Sequence, residues 1–225
     1  MKLGKQKVTE FYQKYSKLNL SDIEKAKLIQ DWLMKNITVF TPPNDKPEWF
    51  YNTGGQRRVH FPSSVMIDHE GVCLSYAMTY ARLAERMGLE VRVIQGWNGM
   101  SAVGQVSPPP QLFLNAAEKM FLDPDTTTYR LDYFNHAWNL VKVGGSWYHV
   151  DTFQDIGLMQ YTPDENKEPY HYFLRSDEFM RQHVYKMGKF TQREYNLQRA
   201  WNRNRIPAST GPKNEEAKGL PNLAQ

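Results

Sequence analysis

GVCLSYAMTYARLAERMG, residues 71–88, is the stretch on which the reading of the whole chain turns. It holds the chain's one cysteine, Cys73, at the head of a run in which Leu74, Ala77, Met78, Ala81, Ala84 and Met87 recur at steps of three and four. That spacing predicts a helix with an apolar stripe, and Gly88 stands where a C′ glycine would end it. A thiol at a helix N-terminus feels the positive end of the macrodipole and unpaired N–H groups, both of which favour thiolate. A lone cysteine is equally well a small buried hydrophobe, so a chemical role requires a base from elsewhere in the chain.

Composition narrows the classes. The 225 residues, 40% hydrophobic and 13% aromatic, suit one globular domain with extensions. Net charge is +4, from 28 basic against 24 acidic residues, a mild excess that fits solubility better than nucleic-acid binding. One cysteine excludes an internal disulfide and a multi-cysteine zinc site, and neither a metal nor a cofactor is implied. The basic N-terminus has no apolar core of a signal peptide, and no run approaches the roughly 18 apolar residues of a membrane span. A soluble protein, cytoplasmic by default, is expected.

Upstream of the cysteine, Val8, Phe11, Tyr12 and Tyr15 mark a short amphipathic helix over 5–17. Ser21 with Glu24 fits a capping box, opening a second helix whose apolar face runs through Ile23, Ala26, Ile29, Trp32, Leu33 and Ile37. From 40 to 61 the prolines and glycines Pro42, Pro43, Pro47, Gly54 and Gly55 break the pattern around Trp49, Phe50 and Tyr51, which predicts a long aromatic loop beside a cleft. Downstream, LEVRVIQGW at 89–97 alternates as a strand with one solvated or partly covered face. Residues 98–130 read as an insertion with a short helix over 111–122. A helical extension over 176–202 closes a single domain spanning 1–202, and 203–225 lacks apolar periodicity and reads as a disordered tail.

Between these lies FNHAWNLVKVGGSWYHVDTF, residues 134–153, two β-runs around Gly144-Gly145. With those glycines as the loop, Val143 pairs with Ser146, Trp138 lies opposite Asp151, and His136 lies opposite Phe153. His136 and Asp151 then share a face as diagonal neighbours about 7–8 Å apart, within reach of an imidazole–carboxylate contact. A one-residue change of register would send Asp151 to the other face. His149 shares the same face and is a rival base nearer the turn.

Cys73, His136 and Asp151 make a nucleophile, a base and an orienting carboxylate for attack on an amide or ester carbonyl. The Cys73 backbone N–H is a candidate oxyanion donor. Trp49, Tyr51, Gln56 and Trp138 are candidates for the rest of the oxyanion hole and the substrate cleft.

Together the glycine-x-cysteine of GVC, the strand LEVRVIQGW and NHAWNLVKVGGSWYHVD resemble the transglutaminase-like superfamily over roughly 21–155, in its bacterial form rather than the animal crosslinking enzymes. The resemblance implies a papain-like α+β fold, with N-terminal helices and the nucleophile helix packed on an antiparallel sheet. It implies Cys73, His136 and Asp151 as a catalytic triad, and Trp138 and Trp147 as buried tryptophans. It implies a thioester acyl-enzyme formed from a protein or peptide substrate, with hydrolysis by a peptidase or amidase ahead of transamidation. A non-catalytic protein-binding module on the same fold is the alternative.

Overall fold

The computed structural model describes residues 2–40, 58–96, 136–161, 169–180 and 213–224. Helix α1 (Lys2–Tyr15) and helix α2 (Asp22–Asn36) are followed by the short strand β1 (Thr38–Val39). The Glu24 carboxylate accepts both the Ser21 N–H, at 2.8 Å, and its hydroxyl, at 2.6 Å, so the serine and glutamate of the capping box do meet at the start of α2. A π-turn over Ser64–Asp68 leads to strand β2 (Glu70–Gly71), which pairs in parallel with β1. This two-residue ribbon ties the end of α2 to the start of helix α3 (Cys73–Arg86).

Helix α3 is buried more completely than its expected stripe. Tyr76, Tyr80 and Leu83 are fully buried, whereas Leu74 and Met78 keep partial exposure. Tyrosines disguise this face in a count of aliphatic residues, yet each ring and leucine taken from water contributes about 1.5–3 kcal/mol. The helix stops as expected. The Gly88 N–H donates to the Glu85 carbonyl at 3.1 Å and the Leu89 N–H to the Ala84 carbonyl at 2.9 Å, a Schellman pair.

Strand β3 (Val91–Gly96), β4 (His136–Val143), β5 (Ser146–Val150) and β6 (Phe173–Arg175) form an antiparallel sheet in that order. Val143 pairs with Ser146 and Leu140 with His149, the register expected from a two-residue loop. Gly144 at φ +56° and Gly145 at φ +85° meet the positive-φ requirement of a type I′ turn. One sheet face carries Val141, Val143, Tyr148 and Val150 into the main core with α2 and α3, and Asn139 on that face donates to the Ala77 carbonyl at 2.9 Å. The other face carries a second cluster of Ile94, Trp138, Leu140, Tyr172 and Met180. Trp147 on this face is only half-buried, under the Arg92 guanidinium 5.4 Å from its ring.

Helix α4 (Thr152–Tyr161) follows β5, and α5 (Asp177–Met180) follows β6. The expected disordered tail is corrected over 213–224: helix α6 (Asn214–Lys218) is formed there, with Asn214, Ala217 and Ala224 buried. It is held by polar contacts that an apolar pattern does not register. Asn214 Nδ2 donates to the carbonyls of Tyr170 and Phe173, the latter at 2.9 Å. Among the described residues no helix is long and apolar enough to cross a membrane. The 98–130 insertion, its 111–122 helix and most of the 176–202 extension lie outside the described residues.

Candidate active site

Cys73 is the first residue of α3, with Val72 as N-cap in extended conformation. The glycine two residues earlier is required by packing: a Cβ on Gly71 would lie 2.4 Å from Ser75 Oγ and 2.8 Å from Val65 Cγ2. That close approach lets Ser75 Oγ accept the Val72 N–H at 3.0 Å and donate to the Val72 carbonyl at 2.8 Å, fixing the turn that presents the thiol. Cys73 itself remains partly exposed.

His136 opens β4 and is buried, and its Nε2 lies 2.6 Å from Asp151 Oδ2. Its side chain also hydrogen-bonds Cys73, and with Nε2 engaged by Asp151 the nitrogen facing the thiol is Nδ1. The next residue adds a donor, the Ala137 N–H to the sulfur. Asp151 lies just past β5 as the N-cap of α4, its Oδ1 accepting the Gln154 N–H at 3.2 Å. Its own N–H donates to the Tyr172 carbonyl at 3.0 Å. The loop register, one helix cap and one inter-strand contact thus set the carboxylate.

Electrostatics follow from this geometry. Burial pushes the Cys73 thiol up, and the His136 hydrogen bond and charge, with the Ala137 N–H, outweigh it, so the thiol is held below its ordinary value. Burial opposes the charged form of His136, but the Asp151 carboxylate, by charge and by hydrogen bond, and Cys73 raise it to about 10. The arrangement favours thiolate and imidazolium together near neutral pH.

Trp138 does not line a cleft as expected. It is 3% exposed, lies against the His136 ring at a centroid distance of 5.7 Å, and commits its indole N–H to His149 Nδ1 at 3.0 Å. An indole has one donor, so none is left for an oxyanion. Trp49, Tyr51 and Gln56 lie outside the described residues. Sequence reasoning missed Asp177, whose carboxylate meets His149; its only signal was a helix start after Ser176.

A helix-borne thiol beside a histidine–carboxylate pair from an antiparallel sheet defines a papain-like α+β architecture. The transglutaminase-like superfamily profile matches residues 9–152, more than half of the chain, and the protein belongs to that superfamily. No curated protein matches the chain. Among solved structures it is similar to a candidate cysteine protease from Cytophaga hutchinsonii, at 15% identity and TM-score 0.38, over 67% of this chain and 38% of that one. It is also similar to a TGase, at 15% identity and TM-score 0.42, over 85% of this chain and 36% of that one. The chain spans well under half the length of either.

Proposed function

We propose that the protein is a cysteine-dependent acyl-transfer enzyme acting on amide bonds of proteins or peptides. The observation that carries this reading is the half-buried Cys73 thiol, hydrogen-bonded to a His136 that stands 2.6 Å from Asp151. The thiolate attacks the carbonyl carbon, and charge develops on the carbonyl oxygen beside the Cys73 N–H at the start of α3. His136 passes its Nδ1 proton to the departing amine as the C–N bond breaks, leaving a thioester and a neutral imidazole. The imidazole then takes a proton from the incoming nucleophile, the C–S bond breaks, and the thiolate–imidazolium pair is restored. Asp151 keeps the imidazole oriented and stabilises its cation.

Water is the acceptor in this proposal, because hydrolysis needs no second binding site while transamidation needs one for an amine. Incubation with a peptide carrying an electrophile in place of the scissile amide is expected to label Cys73 at neutral pH, read by mass spectrometry, and Cys73→Ala is expected to fold and show no turnover. Product analysis with and without a primary amine separates hydrolysis from transamidation. A Cys73 that reacts no faster than a free thiol would make the domain a binding module instead.

A further inference from the structure

Beside the Cys73 cluster stands another buried histidine–carboxylate pair. His149 Nε2 lies 2.8 Å from Asp177 Oδ1, with side-chain exposures of 7% and 15%. Its Nδ1 lies 3.0 Å from Trp138 Nε1. An indole N–H can only donate, so Nδ1 presents a lone pair and the ring proton sits on Nε2, directed at Asp177. Both ring nitrogens of His149 are thereby engaged away from Cys73, which removes it as a rival to His136. The indole it tethers lies nearly parallel to the His136 ring, at an interplanar angle of 20°.

The backbone is shaped to complete this chain of contacts. Val150 pairs with Phe173 and His149 with Arg175, so Leu174, at φ +53°, is an extra residue in β6. Such a bulge redirects the chain that follows it. After the bulge, Ser176 Oγ accepts the Phe179 N–H at 3.2 Å and Asp177 arrives at His149.

We propose that Trp138, His149 and Asp177 are positioning residues for His136: the relay fixes the plane of the indole, and the indole holds the imidazole in line between Cys73 and Asp151. This rests on the reading of Cys73, His136 and Asp151 as the reacting set. An imidazolium against an indole face gains from the ring quadrupole, and a tethered indole cannot leave that position by changing rotamer. Among the described residues, charged and titratable groups around the relay include Arg175, paired with His149 in register and placed over the Phe179 ring, and Asp151 and Cys73, which contact His136.

His149→Leu removes the acceptor for the indole, whereas His149→Asn sets an oxygen where Nδ1 was. In a Cys73→Ala background, NMR titration of the His136 imidazole is expected to fall by about one pH unit in His149→Leu and to return most of the way in His149→Asn. The Trp138 indole N–H resonance should move in His149→Leu. With Cys73 present, kcat is expected to fall about tenfold while KM stays within twofold. Should His149→Leu fail to fold, Trp138→Phe, which keeps a ring and loses the tether, carries the same comparison. An unchanged His136 midpoint, even alongside a lower melting temperature, would overturn the proposal and leave the relay a packing feature. Because that titration is made without the thiol, it decides the positioning role even if the wild-type protein proves to have no turnover.

Discussion

Asp151 divides its two oxygens between tasks, Oδ2 to His136 and Oδ1 to the Gln154 N–H at the start of α4. Substitution can separate them. Asp151→Asn retains an oxygen for the cap, since asparagine caps about as well as aspartate, but removes the charge that supports imidazolium. Turnover is expected to fall on the order of 10²-fold, less than the roughly 10⁴-fold of the serine triad, because the thiolate–imidazolium pair forms before substrate arrives. The acid limb of Cys73 alkylation should move to higher pH. Asp151→Ala loses the cap as well and is expected to cost about 1 kcal/mol more in urea unfolding. If Asp151→Asn leaves both turnover and the alkylation profile unchanged, Asp151 is not the partner of His136 in catalysis.

Helix α4 owes its position to a buried polar layer against α2. Gln30 Nε2 donates to Asp155 Oδ2 at 2.8 Å while its Oε1 accepts the Thr152 hydroxyl at 2.6 Å. Asp155 Oδ1 accepts the Tyr172 N–H at 2.8 Å. Lys27 and Asp31 pair at 2.6 Å beside them, and the Tyr170 hydroxyl donates to Asp31 at 2.8 Å. Gln30→Leu removes the amide's hydrogen bonds to Asp155 and Thr152 next to the Asp151 cap, at about 0.5–3 kcal/mol for each. Lower stability in urea together with lower kcat is the expected result; a stability loss with kcat unchanged would uncouple the layer from the site. The layer was not legible in the sequence. Lys27, Gln30 and Asp31 fall at i, i+3 and i+4, the spacing of a solvated stripe, and their partners are distant in the chain. The hairpin and the end of α3 were legible because turn glycines and period-two alternation act over a few residues. The bulge at Leu174, which brings Asp177 to His149, leaves no such trace, because one extra residue breaks the alternation that would reveal it.

For the molecule as a whole, the raised His136 makes stability depend on pH. A group whose folded value lies above its unfolded one binds its proton more tightly when folded. Its contribution is therefore complete below about pH 6.5 and is lost as pH rises through about 10. In Cys73→Ala, where Asp151 is still the partner, the urea midpoint should decline across that window, and adding Asp151→Asn should flatten the decline. The C-terminal segment bears on the same centre. Asn214 holds the carbonyls of Tyr170 and Phe173, and the Lys213 N–H donates to the Leu174 carbonyl at 3.1 Å. Tyr172, between them, takes the Asp151 N–H at 3.0 Å. Asn214→Ala is expected to lower unfolding stability by about 1–2 kcal/mol, measured in urea.

Synthesis adds a clock to this arrangement. A ribosome lays down Cys73, His136 and Asp151 before it reaches 213–224, so a nascent chain that holds all three still lacks the segment that pins the neighbours of Asp151. The neighbours of Asp151 are thus among the last parts of the described fold to be secured as the chain is made.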